Sequence, residues 1–113
     1  MCESMTKTLT DVAKSYIADQ IVAFFTTPQI RLYDSAGNLI KSLDASVTKV
    51  TIEGGYRVKV TARDTSGDEY TVYSFDVYDA DRGEVFAEIS LDTPVSKSAT
   101  EYLDVEYDLD IVS

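Results

Sequence analysis

The chain has 113 residues, with 20 acidic side chains against 10 basic ones, a net charge of −10 and no histidine. A length of this order predicts one domain that can bury a core without disulfide or metal staples, and a hydrophobic share of 44% excludes a fully disordered chain. The charge excludes the basic footprint of a nucleic-acid binder, and the lack of histidine removes the commonest general base and a frequent zinc ligand.

Cys2 is the sole cysteine, so no intrachain disulfide can form. Met1 to Lys7 lacks the charged start and long apolar run of a cleaved signal. The longest apolar run, Ile21 to Phe25, is too short to span a bilayer. A chain made in the cytoplasm and kept from secretion through a cleaved signal is expected.

Residues 9 to 25 read as the helix. Leu9, Val12, Ala13, Tyr16, Ile17, Gln20, Ile21 and Phe24 recur at three- and four-residue spacing and form one stripe. Thr8 or Thr10 can cap its start, Asp11 suits the positive end of the dipole, and Thr26-Thr27-Pro28 ends it. The inner stripe, Val12, Tyr16, Ile17 and Ile21, is expected to pack. Phe24 and Phe25 widen the apolar face and are expected to contact a second surface. The polar face has Asp11, Lys14, Ser15 and Asp19, not the basic row of a membrane-surface helix.

From about residue 29 to 112 the pattern is that of strands. Ile30 to Tyr33 and Leu39 to Leu43 flank the turn Asp34-Ser35-Ala36-Gly37-Asn38. Val47 to Glu53 and Tyr56 to Arg63 flank Gly54-Gly55, a two-residue hairpin signal. Glu69 to Tyr78 alternates imperfectly, with Tyr70 and Val72 on one face and Tyr73, Phe75 and Val77 on the other, so a bulge or a strand covered on both sides is expected. Glu84 to Leu91 follows, then Asp92 to Thr100 as a polar connection. The tail, Glu101 to Val112, alternates strictly. Leu103, Val105, Tyr107, Leu109 and Ile111 share one face, and Asp104, Glu106, Asp108 and Asp110 share the other. The fold class is therefore mainly β, an antiparallel β-sandwich with one N-terminal α-helix. Val58, Val60, Phe75, Val85, Ile89, Val105, Tyr107 and Leu109 are the expected core.

No catalytic constellation stands out, so an enzyme is not expected and no cofactor is predicted. Asp79-Ala80-Asp81-Arg82-Gly83-Glu84 begins like a calcium loop, but Arg82 and Ile89 stand where further ligands are needed. A charged hairpin turn is the better reading, with Asp79, Asp81 and Glu84 as the metal candidates. Asp64, Asp68 and Glu69 make a second acidic turn. The acidic row of the tail needs an offset, because repulsion accumulates between carboxylates about 7 Å apart. Arg57, Lys59 and Arg63 form a basic row of matching spacing, expected to meet Asp104, Glu106 and Asp108 within the chain or across an interface between copies.

From Tyr56 to Val112, with the helix Leu9-Thr10-Asp11-Val12-Ala13-Lys14-Ser15-Tyr16-Ile17 before it, the order of features resembles small tail-fibre-like and other structural proteins of tailed phages and related viruses. The resemblance lies in the strand Tyr70 to Tyr78, in Val85-Phe86-Ala87-Glu88-Ile89-Ser90-Leu91, and in Thr93-Pro94-Val95-Ser96-Lys97-Ser98 leading to an alternating last strand. It implies a non-enzymatic virion protein of the tail, capsid or an appendage, present in many copies. Its implied partners are itself and other virion proteins; the charge argues against nucleic acid, and the polar face of the helix gives a membrane little support. Ile30 to Lys41 and Tyr56 to Asp64 also look like strand pairs of bacterial immunoglobulin-like modules. That resemblance implies, as the alternative, a surface spacer or binding module for carbohydrate or protein.

Overall fold

A computed structural model describes residues 8 to 112; Cys2 and the reading of Met1 to Lys7 lie outside the described residues. These residues form α1 (Asp11–Phe24) and strands β1 (Pro28–Tyr33), β2 (Leu39–Ile52), β3 (Gly55–Asp64), β4 (Tyr70–Asp79), β5 (Glu84–Lys97) and β6 (Leu103–Val112). The strands make one antiparallel sheet of order β5-β4-β1-β2-β3-β6, curled until nearly closed. The protein is thus mainly β with one helix among the described residues. Two separate packed sheets were expected; here β2 runs through the sheet, pairing with β1 over its first half and with β3 over its second.

The inner face carries the core. Ile30 and Leu32 of β1, Leu43 of β2, Val60 and Ala62 of β3, Val72, Phe75 and Val77 of β4, and Leu103 of β6 form one buried cluster. Val58, Val60 and Phe75 are buried as expected, and Ile89, Val105, Tyr107 and Leu109 are half-buried. Val85 is exposed, a correction that follows from the register. The ladder shifts between Val77 and Tyr78, which pairs Val85 with Tyr78 on the outer face. A second shift explains the imperfect pattern of β4. Leu91 to Pro94 of β5 lie opposite Tyr73 alone, between the pairs Ser74–Ser90 and Val72–Val95. Tyr73 is left half-exposed while Val72 and Phe75 both turn inward. This bulge lets one strand change phase without losing its inner row.

α1 starts at Thr10, whose hydroxyl accepts from the Ala13 N–H at 3.1 Å. Of the expected stripe, Ile21 packs on the sheet, while Val12, Tyr16 and Ile17 do not. Ala18 packs on Val58 and Ile111, with Ile21, Val22, Val47 and Tyr56 around them. Lys14 buries its stem on the same face and donates from Nζ to the Gly54 carbonyl at 2.7 Å. Val12 and Tyr16 are exposed, as are Leu9 and Ile17 in lesser degree. The apolar residues run round the helix, so spacing alone offered two stripes. The sheet took the one whose small Ala18 permits close approach to β3. α1 therefore completes the core at the β2–β3 hairpin end.

Candidate functional site

The outer face of β3 and β6 holds the two charged rows. The register pairs Arg57 with Asp110, Lys59 with Asp108, Thr61 with Glu106 and Arg63 with Asp104. Arg63 grips Asp104 through Nε at 2.5 Å and a second nitrogen at 3.1 Å, and Arg57 grips Asp110 in the same bidentate way at 2.6 and 3.1 Å. Lys59 Nζ lies 3.3 Å from Glu106 Oε1, one diagonal step away, and Arg57 Nε lies 3.9 Å from Asp108. The guanidinium hydrogen bonds hold Asp104 and Asp110 below the usual carboxylate range. Asp108 goes the other way: burial and its neighbour Glu106 raise it, and Arg57 and Lys59 offset that only in part. The rows thus meet inside one chain.

Exposed pairs of this kind couple by about 0.2–1 kcal/mol. A double-mutant cycle of Lys59→Glu and Glu106→Lys is therefore expected to show coupling of about that size in urea melts. Strictly additive effects would show that the two side chains do not meet in solution.

Asp79, Asp81 and Glu84 do not come together as a metal site, and no cluster of ligating side chains exists among the described residues. Asp79 is fully buried and its carboxylate is used up. Oδ1 accepts the N–H groups of Thr26 and Thr27 at 2.8 and 2.6 Å, and Oδ2 accepts that of Arg82 at 2.9 Å. Burial pushes its pKa up, but these three donors outweigh it and hold Asp79 low. Asp79 ties the end of α1 to the β4–β5 turn. Phe24 and Phe25 complete this junction, meeting Phe86 with ring centroids 5.4 and 5.1 Å away, while Arg82 covers Phe24 at 4.7 Å.

The second acidic turn is also internally satisfied. Lys41 Nζ donates to Asp64 at 3.2 Å, Ser66 at 2.9 Å and Asp68 at 2.5 Å. Tyr70 donates its hydroxyl to Asp64, and Lys97 Nζ donates to the carbonyls of Ser66, Asp68 and Ser98. Burial raises Asp64, but the bonds from Tyr70, Ser66 and Lys41 leave it well below the ordinary range.

A third polar cluster lies on the outer face of β1, β4 and β5. Arg31 donates from Nε and a terminal nitrogen to the two Asp76 oxygens at 2.9 and 2.7 Å, and Tyr33 donates to Asp76 Oδ2 at 2.7 Å. The guanidinium lies 3.7 Å from the Tyr78 ring centroid. Burial, followed by the bond to Asp76, raises Tyr33 to about 12. These residues were not expected as a site. The sequence signal was there, in Arg31 and Tyr33 at alternate positions of β1 and Asp76 and Tyr78 at alternate positions of β4.

Tyr70 is raised as well, first by burial and then by its bond to Asp64. A phenol raised above its unfolded value of 10.0 adds stability that is complete below that pH and lost as pH climbs through the folded value. An ultraviolet absorbance titration is expected to show Tyr33 and Tyr70 ionising late, with unfolding setting in between pH 10 and about 12. Tyr33→Phe should remove one late phenol. Eight tyrosines titrating together near the ordinary value would contradict both hydrogen bonds.

The exposed stripe of α1 is the remaining surface. Val12 and Tyr16 lie one turn apart on the helix, 81% and 64% exposed, and Leu9, also exposed, stands just before its cap. Val12 and Tyr16 line a shallow groove of about 400 Å³ with Tyr56, flanked by Asp11, Ser15 and Asp19. No helix among the described residues is long and apolar enough to cross a membrane. No family model matches the chain, and neither a curated protein nor a solved structure matches it.

Proposed function

We propose that this chain is a non-enzymatic structural protein of a virus particle, a component of tail, capsid or appendage that assembles in several copies. The observation that carries the assembly reading is the apolar patch of Val12 and Tyr16 on α1, beside Tyr56, which its own sheet leaves uncovered. Contiguous exposed apolar surface marks an interface, and a second copy of the chain offers the same stripe in a self-complementary contact. The particle itself enters through the resemblance of the helix and the last three strands to virion proteins. Its partners in this reading are further copies and other virion proteins. It takes no nucleic acid, in keeping with a charge of −10. The curled sheet then works as a sandwich, the β5–β4–β1 half facing the β3–β6 half across the shared core.

Light scattering on the purified protein tests the assembly. A defined multimer is expected, and a monomer at every concentration would favour the rival spacer module. Quantitative mass spectrometry of purified particles tests the location, with several copies per particle expected; particles lacking the chain would overturn it.

A further inference from the structure

The outer face of β1, β4 and β5 is built as a grid. One row across the strands is Arg31, Asp76 and Glu88, and the next is Tyr33, Ser74 and Ser90. These six residues line an open depression of about 360 Å³.

Two features separate this patch from an ordinary solvated sheet face. First, its centre is desolvated and fixed. The Asp76 side chain is 7% exposed and Arg31 22%, and Asp76 takes three hydrogen bonds. A buried ion pair is a poor source of stability compared with apolar packing. What it does supply is a guanidinium and a phenol held at set positions, the preorganisation that a binding site needs. Second, the rim is unspent. Glu88 is exposed, and the side chains of Glu88, Ser74 and Ser90 have no hydrogen-bond or ion-pair partner among the described residues. Arg31 neutralises Asp76, so Glu88 is left as an acceptor beside hydroxyls that both donate and accept.

The ligand follows from that inventory. Net charge at the patch is negative, which repels phosphates and carboxylates, as does the chain as a whole. A single uncompensated carboxylate is too little to hold a metal ion. The Glu88 carboxylate and the Ser74 and Ser90 hydroxyls, beside a Tyr33 ring whose centroid lies 5.9 Å from the Arg31 guanidinium, match a neutral ligand rich in hydroxyls. We infer that the grid Arg31–Asp76–Glu88 over Tyr33–Ser74–Ser90 binds a neutral carbohydrate. This inference is independent of the assembly stripe, which lies on α1, so either can fail without the other.

The test is an amide NMR titration of the full chain with glucose, galactose, N-acetylglucosamine and lactose in turn. At least one of these is expected to give saturable shifts clustered at Tyr33, Ser74, Glu88 and Ser90, with a Kd in the millimolar range. Glu88→Ala should weaken that binding tenfold or more, while Glu106→Ala, on the outer face of β6, should leave it unchanged. Should Glu88→Ala not fold, Ser90→Ala serves in its place, with a smaller loss. Absence of shifts at these residues with all four sugars, or saturable shifts that Glu88→Ala or Ser90→Ala leaves unaltered, would overturn the inference.

Discussion

Leu32→Ala is expected to destabilise the protein by about 2–5 kcal/mol, the range for emptying a buried leucine site. Leu32 has no exposed surface, is the last residue but one of β1, and stands between Lys41 of β2 and Phe75 of β4. Both flanking strands are pinned to β1 there, so the cavity cannot collapse by moving one edge. In a domain of this size each kcal/mol moves Tm by about 4–8 °C, so a drop of at least about 8 °C is expected in a thermal melt. Val12→Ala, in contrast, should stay within about 0.5 kcal/mol, because Val12 is 81% exposed in the single chain. Equal melting temperatures for the two variants would mean that the inner face of β1 is not the core.

Gly55→Ala is the second large loss, and it separates two adjacent glycines. The hairpin pairs Ile52 with Gly55, so the loop is Glu53-Gly54 and not the Gly54-Gly55 expected from the sequence. Gly54 has φ +83° and open space around the position of a Cβ. Its replacement by alanine costs left-handed strain alone, about 1–2 kcal/mol. Gly55 has no unusual φ, but it is buried, and a Cβ there would overlap the Ile111 carbonyl oxygen and press on the Lys14 side chain at 3.3 Å. Backbone of β6 would have to move, and with it the Ala18–Val58–Ile111 contact that seats α1. Roughly 3 kcal/mol or more is expected, at the top of the usual range for one substitution. Urea midpoints for the two variants check the order. A milder effect at Gly55 than at Gly54 would contradict the close approach.

These two glycines show how far the sequence could be read. Paired glycines announced a hairpin, but position 54 is glycine for its φ and position 55 for its neighbour, and the neighbour lies 56 residues away in sequence. The last strand was legible throughout, because every outward residue from Asp104 to Asp110 is acidic and makes the period of two unmistakable. Its basic counterpart on β3 was legible for the same reason. The second half of β5 was not. Asp92, Thr93 and Pro94 read as loop, yet β5 is an edge strand, where a missing N–H on the open side costs no ladder bond. The middle of β2 was lost in the same way: Asp44 and Ser46 face outward while Leu43, Ala45 and Val47 continue the inner row. The buried carboxylates were legible as residues and not as roles. Asp79 looked like a calcium ligand because charge is visible in a sequence, whereas the Thr26, Thr27 and Arg82 N–H groups that claim it are not. Orientation of α1 was the hardest, since Ala18 and Lys14 gave no apolar signal to match Val12 and Tyr16.

That orientation is also what the assembly reading rests on. Sedimentation velocity of the intact chain against the double variant Val12→Glu, Tyr16→Glu tests it most directly. Both positions are exposed in the single chain, so the variant should stay folded, its melting temperature lowered only by the stabilisation that assembly itself supplies. The parent is expected to sediment as a defined multimer and the variant as a monomer. A variant that keeps the parent's multimer, at an unchanged melting temperature, would contradict it.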